Sequence, residues 1–150
     1  MKLNWKNFLI LGGSISIIIG LLHLVIILYG APAYRYFDAG EEMALMAERG
    51  SLLPAITTFF IASILIIWGL YAFAGVGLIR RFPFLRSALV VISVIFTLRG
   101  IMFFYEIYEV IMLHKLELLK EVLFSSVSLI TGLAYLIGIK FGWQVLRKTV

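Results

Sequence analysis

Thr97-Leu98-Arg99-Gly100-Ile101-Met102-Phe103-Phe104-Tyr105-Glu106-Ile107-Tyr108-Glu109 sets one arginine and two carboxylates in a segment otherwise apolar enough to cross a lipid bilayer. An ionisable side chain at the bilayer centre costs about 2.5–3.5 kcal/mol or more, so such residues mark a functional site by default. On a helix, Arg99, Met102 or Phe103, and Glu106 lie along one face, because seven residues make nearly two turns. Glu109 follows Glu106 by three, which makes the two carboxylates neighbours. Counted from Ser87, Arg99 comes ~18 Å into the membrane, just past the midplane, and Glu106 ~28 Å in, near the far boundary. The side chain of Glu106 leans back toward Arg99. Their axial separation of ~10 Å still requires a bridging group, a ligand or a bend. The alternative is an arginine locked by carbonyls or hydroxyls of other helices, with the glutamates solvated at the rim.

Composition sets the solvent. The chain has 150 residues, of which 63% are hydrophobic and 14% charged. Soluble domains are roughly 45–50% apolar and ~25% charged, so the solvent is lipid. One domain is expected at this length. The absence of cysteine excludes thiol redox chemistry, disulfides and thiolate metal sites. The net charge of +5 does not indicate a nucleic-acid partner, because the basic residues flank apolar spans and form no continuous stripe.

The expected fold is an all-α membrane protein, a four-transmembrane-helix bundle with a short amphipathic helix in the first outer loop. The spans fall at about 8–29, 52–79, 87–113 and 122–141, each long enough for ~30 Å of hydrocarbon. Helices are required because lipid cannot satisfy an open backbone. Ala31-Pro32-Ala33 resembles a signal-peptide cleavage site. The preceding apolar run of ~22 residues exceeds the 7–15 of a signal peptide, so an uncleaved helix is expected.

Charge gives the orientation. Lys2, Lys6, Arg80, Arg81, Arg86, Lys140, Arg147 and Lys148 fall on one side of the membrane, and Arg35, Arg49, Lys115 and Lys120 on the other. The acids Asp38, Glu41, Glu42, Glu48, Glu106, Glu109, Glu117 and Glu121 belong to the second side or its half of the membrane. The positive-inside rule then puts both termini and the Arg80–Arg86 turn in the cytoplasm of a bacterial-type inner membrane.

The outer loop, 31–51, is long for a helix–helix connection. Asp38-Ala39-Gly40-Glu41 has capping-box spacing and Gly50 suits a C-terminal cap, with Met43, Met46, Ala47 and Gly50 as the apolar edge between them. This segment is either a plain interfacial connector or a lid. Tyr29, Tyr34, Tyr36 and Phe37 suit the interface. In the first span, Gly12, Ser16 and Gly20 recur every four residues and His23 comes one turn later, a small-residue face that serves an internal helix contact or a homodimer. The second span starts near Pro54. In the fourth, Ser125, Ser128, Gly132, Tyr135 and Ile139 form an inward face.

These depths place a candidate ligand site of Arg99, His23, Tyr105, Glu106, Glu109 and Ser128, with the guanidinium buried in a chamber shared with the first and fourth spans. Arg99 would grip an anion in two places, His23, Tyr105 and Ser128 would hydrogen-bond it, and the loop helix would cover it. The expected ligand is an amphipathic molecule with an anionic group, a lipid or a quinone-like compound. Two rivals remain. The same groups could be glue within a homo-oligomer or with a partner membrane subunit. They could also serve a membrane enzyme moving protons through His23 and Glu106, or a hydrolase built from Ser125 or Ser128, His23 and Glu106. No metal site is expected, since Glu109 and His114 are five apart and a carboxylate di-metal bundle needs Glu-x-x-His pairs. No cofactor is expected either. Gly75-Val76-Gly77 lacks the context of a phosphate loop.

Overall fold

The computed structural model describes residues 4–147, with the side chain of Arg147 left aside. Lys2 and Lys148 lie outside the described residues. The chain is an all-α membrane bundle, with no strand among the described residues. Its helices are α1 (Trp5–Tyr29), α2 (Ala31–Tyr36), α3 (Glu41–Glu48), α4 (Leu53–Val76), α5 (Leu85–Leu113) and α6 (Leu119–Arg147), with a 3-10 turn at Leu116–Leu118 before α6. Four segments are long and apolar enough to span: Trp5–Tyr29, Leu53–Val76, Leu85–Leu113 and Leu116–Leu146, with mean hydropathies of 2.0 to 2.5. Within the most apolar 18 residues of each, only 28–39% are buried by protein, so the rest are left at least partly open to hydrocarbon.

The chain divides into two compact units. The first comprises 1–15 and 68–150, with α5 and α6 paired along their length. Glycines set that pairing. A Cβ on Gly100 would meet the Leu129 backbone nitrogen at 2.5 Å, and one on Gly132 would meet the Thr97 backbone nitrogen at 2.6 Å. Two bare backbones therefore lie in contact, the close approach that small residues permit in membranes. Leu9 and Trp5 of α1 pack on Gly138 and Gly142 of α6 in the same manner. At the centre, the Phe96 ring stacks on Tyr135 at 6.2 Å and meets Trp68 edge-on at 5.5 Å. The Tyr135 hydroxyl donates to the Trp68 carbonyl at 3.0 Å, which satisfies the one polar atom of a fully buried ring. Gly12 lies against that ring, so its bare surface is used internally.

The α4–α5 turn is fastened by Tyr71, whose hydroxyl donates to Pro83 O and whose ring meets Phe82 edge-on. Gly77, at φ 83°, follows the last residue of α4, Val76, which is three residues before the expected boundary at 79. The Arg86 guanidinium lies 3.2 Å from the Trp143 ring centroid. The last helix outruns its expected limit of 141 because Lys140 does not break it. It is already leaving the hydrophobic stretch there, and a helix propagates freely through lysine.

The second unit is 16–67. Gly20 lies against Ala62 O and Ile66 of α4, so this glycine too is used within the chain. Pro54 falls in the first turn of α4 and is fully buried. Ile26, Ala31, Ala33, Tyr34 and Ala44 form a small core, with Phe37, Met43 and Ala47 against it. Tyr34 accepts a hydrogen bond from Thr58 at 3.4 Å.

The outer loop departs from expectation in two respects. Residues 31–36 are helical, begun by Gly30 at φ 63° with Pro32 in the first turn. Asp38 does not cap α3. It adopts a left-handed conformation at φ 55°, and Gly40 holds the N-cap position with no side-chain hydrogen bond. Gly50, at φ 76°, does close the helix, its N–H reaching Ala47 O while Ser51 N–H reaches Met46 O. An exposed ion triad ties α2 to α3. Arg35 gives Nε and Nη2 to Glu41 at 2.7–3.1 Å and Nη1 to Glu48 at 2.5 Å. Hydrogen bonding to the Arg35 guanidinium holds both carboxyls below the ordinary value of 4.5 and raises Arg35 in turn.

Candidate functional site

Arg99 is the middle residue of the 29 in α5, so its Cα stands ~21 Å of helix from either end. The bridging group its distance from Glu106 requires is Ser125. The Arg99 Nη1 donates to Ser125 Oγ at 2.6 Å, and that hydroxyl donates its own proton to Glu106 Oε1 at 2.9 Å. Direct approach of Arg99 to Glu106 stops at 4.0 Å. Ser125 is fully buried and Glu106 is 9% exposed.

Two features of the cluster are unusual for a membrane span. The Arg99 side chain is 49% exposed, not enclosed as the sequence suggested. Only Nη1 is hydrogen-bonded, so Nε and Nη2 form an open edge with no partner among the described residues. Glu106 Oε2 is buried without a partner, and so is Glu121 Oε2 one turn from Ser125 on α6. Charged groups stripped of water and left unpaired are costly, which is why these atoms draw attention away from the rest of the bundle.

A second cluster occupies the last turns of α5. Glu109 Oε1 accepts from the Tyr105 hydroxyl and from Lys115 Nζ, both at 2.9 Å. Tyr105 is itself exposed, so its hydroxyl is a reachable group.

The other residues singled out in the sequence are placed differently. Ser128 Oγ donates to Phe124 O of its own helix at 3.0 Å. Within the second unit, His23 Nδ1 lies 2.8 Å from Ile19 O, and since a carbonyl only accepts, Nδ1 carries the proton. Ser125, the other serine singled out, gives its proton to Glu106. Among the described residues, no three His, Asp or Glu side chains converge on a metal position. An apolar hollow of about 320 Å³ opens between Val25, Ile26 and Tyr29 of α1 and Pro32, Tyr36 and Phe37. It presents no charged group to select a ligand.

Ser125 is the residue whose role the sequence concealed. It was visible as one of several hydroxyls on the inward face of α6. Only the α5–α6 register, set by Gly100 against Leu129 and Gly132 against Thr97, decides that it meets Arg99 and Glu106. No family model, no curated protein and no solved structure matches the chain.

Proposed function

We propose that this small integral membrane protein holds an anionic amphiphile on its α5–α6 face, with Arg99 as the anion-binding group. The observation that carries the proposal is the half-exposed guanidinium at the middle of a spanning helix, with one nitrogen fixed by Ser125 and one edge open. Bare guanidinium in hydrocarbon is unfavourable. A head group carrying two oxygens relieves that cost by accepting two parallel N–H bonds. Ser125 and Glu106 hold the opposite side of the fork and so aim its open edge. Tyr105 and the Glu109–Lys115 pair supply a polar rim further along α5. The ligand comes from the bilayer, as a lipid, a quinone-like molecule or another amphiphile with an anionic group. The distribution of basic residues supports a bacterial-type inner membrane with cytoplasmic termini, which puts this rim on the outer side.

Ser125 also favours a second reading. Its buried hydroxyl joins α5 to α6, so the cluster could be structural glue in an accessory subunit, the open edge of Arg99 being covered by an acidic group of another protein. Native mass spectrometry of the purified protein separates the two. Binding predicts a retained amphiphile that Arg99→Leu loses while the fold survives. Glue predicts no retained amphiphile in either protein, and dissociation of a complex by Arg99→Leu.

A further inference from the structure

Resting on that anion-binding reading, we infer that the head group is the carboxylate of a single-chain fatty acid, not the phosphate of a membrane phospholipid. Two observations support it. First, the edge left open by Ser125 is the Nε–Nη2 side of Arg99. That side offers two parallel N–H groups, the match for a planar carboxylate gripped by both oxygens. Second, depth discriminates. The guanidinium reaches to within 4.0 Å of Glu106 Oε1, and Glu106 is itself ~10 Å of helix short of Leu113. A phosphodiester is tied to the head-group layer by two acyl chains and its own hydration. A fatty acid enters hydrocarbon as the neutral acid and ionises when it meets the guanidinium.

The tail has a bed. Ile95, one turn from Arg99 toward the start of α5, is 42% exposed, and Val91, one turn beyond it, is 55% exposed, a ridge that leads away from the guanidinium beside the buried Ile92. A chain laid along them runs from the middle of α5 toward its start, with its carboxyl at Arg99, on the Glu106 side.

The test is binding of radiolabelled oleate to the purified protein in nanodiscs of zwitterionic lipid. Competition by unlabelled oleate, by methyl oleate and by phosphatidylglycerol is then measured. The inference predicts saturable binding, displacement by oleate, at least tenfold weaker competition by methyl oleate, and little by phosphatidylglycerol. Arg99→Lys, which keeps the charge and loses the fork, should weaken oleate at least fivefold. Arg99-dependent binding of phosphatidylglycerol as tight as that of oleate overturns the carboxylate assignment and leaves the anionic-amphiphile reading standing. Equal competition by oleate and methyl oleate overturns both, and does so on the wild-type protein even if the Arg99 variants fail to fold.

Discussion

Arg99 and Glu106 are joined through a third residue: their nearest charged atoms stop 4.0 Å apart, and the Ser125 hydroxyl accepts from one and donates to the other. The carboxylate is buried and the guanidinium half exposed, so the pair is asymmetric. Its inner member is fixed by protein, and its outer member faces whatever lies against α5.

Removing the hydroxyl should therefore cost more than a surface serine would. Ser125→Ala leaves Glu106 without its donor in a buried setting, with an expected loss of about 1–3 kcal/mol. Reversible unfolding in mixed micelles measures it. A loss indistinguishable from that of Ser126→Ala, whose hydroxyl only meets Leu123 O, would show that the bridge is not a structural tie.

Backbone contact between α5 and α6 gives a sharper steric expectation. Gly100→Ala and Gly132→Ala each force a Cβ to within about 2.6 Å of backbone atoms, and overpacking of this kind typically costs about 1–3 kcal/mol. Gly75→Ala meets the Leu89 side chain at 3.2 Å, and a flexible Leu can yield. Its effect should be clearly smaller in the same unfolding assay, and an equal effect at all three sites would contradict the packing described.

The Arg35 triad predicts a pH dependence with a definite sign. Arg35 holds Glu41 and Glu48 below their ordinary 4.5, so the contribution of the triad is fully present above that value. It is lost as pH falls through the depressed folded values, when both carboxylates protonate. Hydrogen-exchange protection over 41–48, taken relative to the intrinsic rate at each pH, should fall on acidification below about 4.5 in the native chain, and that step should be absent in Arg35→Gln. Salt should weaken the step as well, because the triad is exposed.

Orientation is open to direct labelling, since the chain has no cysteine of its own. A cysteine at Glu42 should react with a membrane-impermeant maleimide added to intact cells. One at Arg81, in the α4–α5 turn, should react only after permeabilisation. The reverse pattern would invert the proposed topology and place the Glu109–Lys115 rim in the cytoplasm.

Hydropathy and the rise of a helix made much of this legible. The four spans, the shared face of Arg99 and Glu106, and the need for a bridge between them follow from local spacing alone. Exposure and partner choice do not, because they depend on helix register. Ser125 and Ser128 are three residues apart on one face of α6, yet the first meets Arg99 and the second its own helix. Gly12 and Gly20 read equally well as dimer contacts, and only the bundle shows them covered by Tyr135 and by Ala62 and Ile66. Asp38 looked like a cap because its spacing fitted, but it follows α2 in a left-handed conformation, and α3 has no side-chain cap hydrogen bond.

The most direct measurement is an electron cryomicroscopy map of the protein in native-lipid nanodiscs, at a resolution that shows side chains and bound lipid. An elongated density ending in two lobes against Nε and Nη2 of Arg99, and running along Ile95 and Val91, is the predicted result. An Arg99 edge capped by a carboxylate of another protein chain, or turned into plain acyl tails with no head group beside it, would contradict the account.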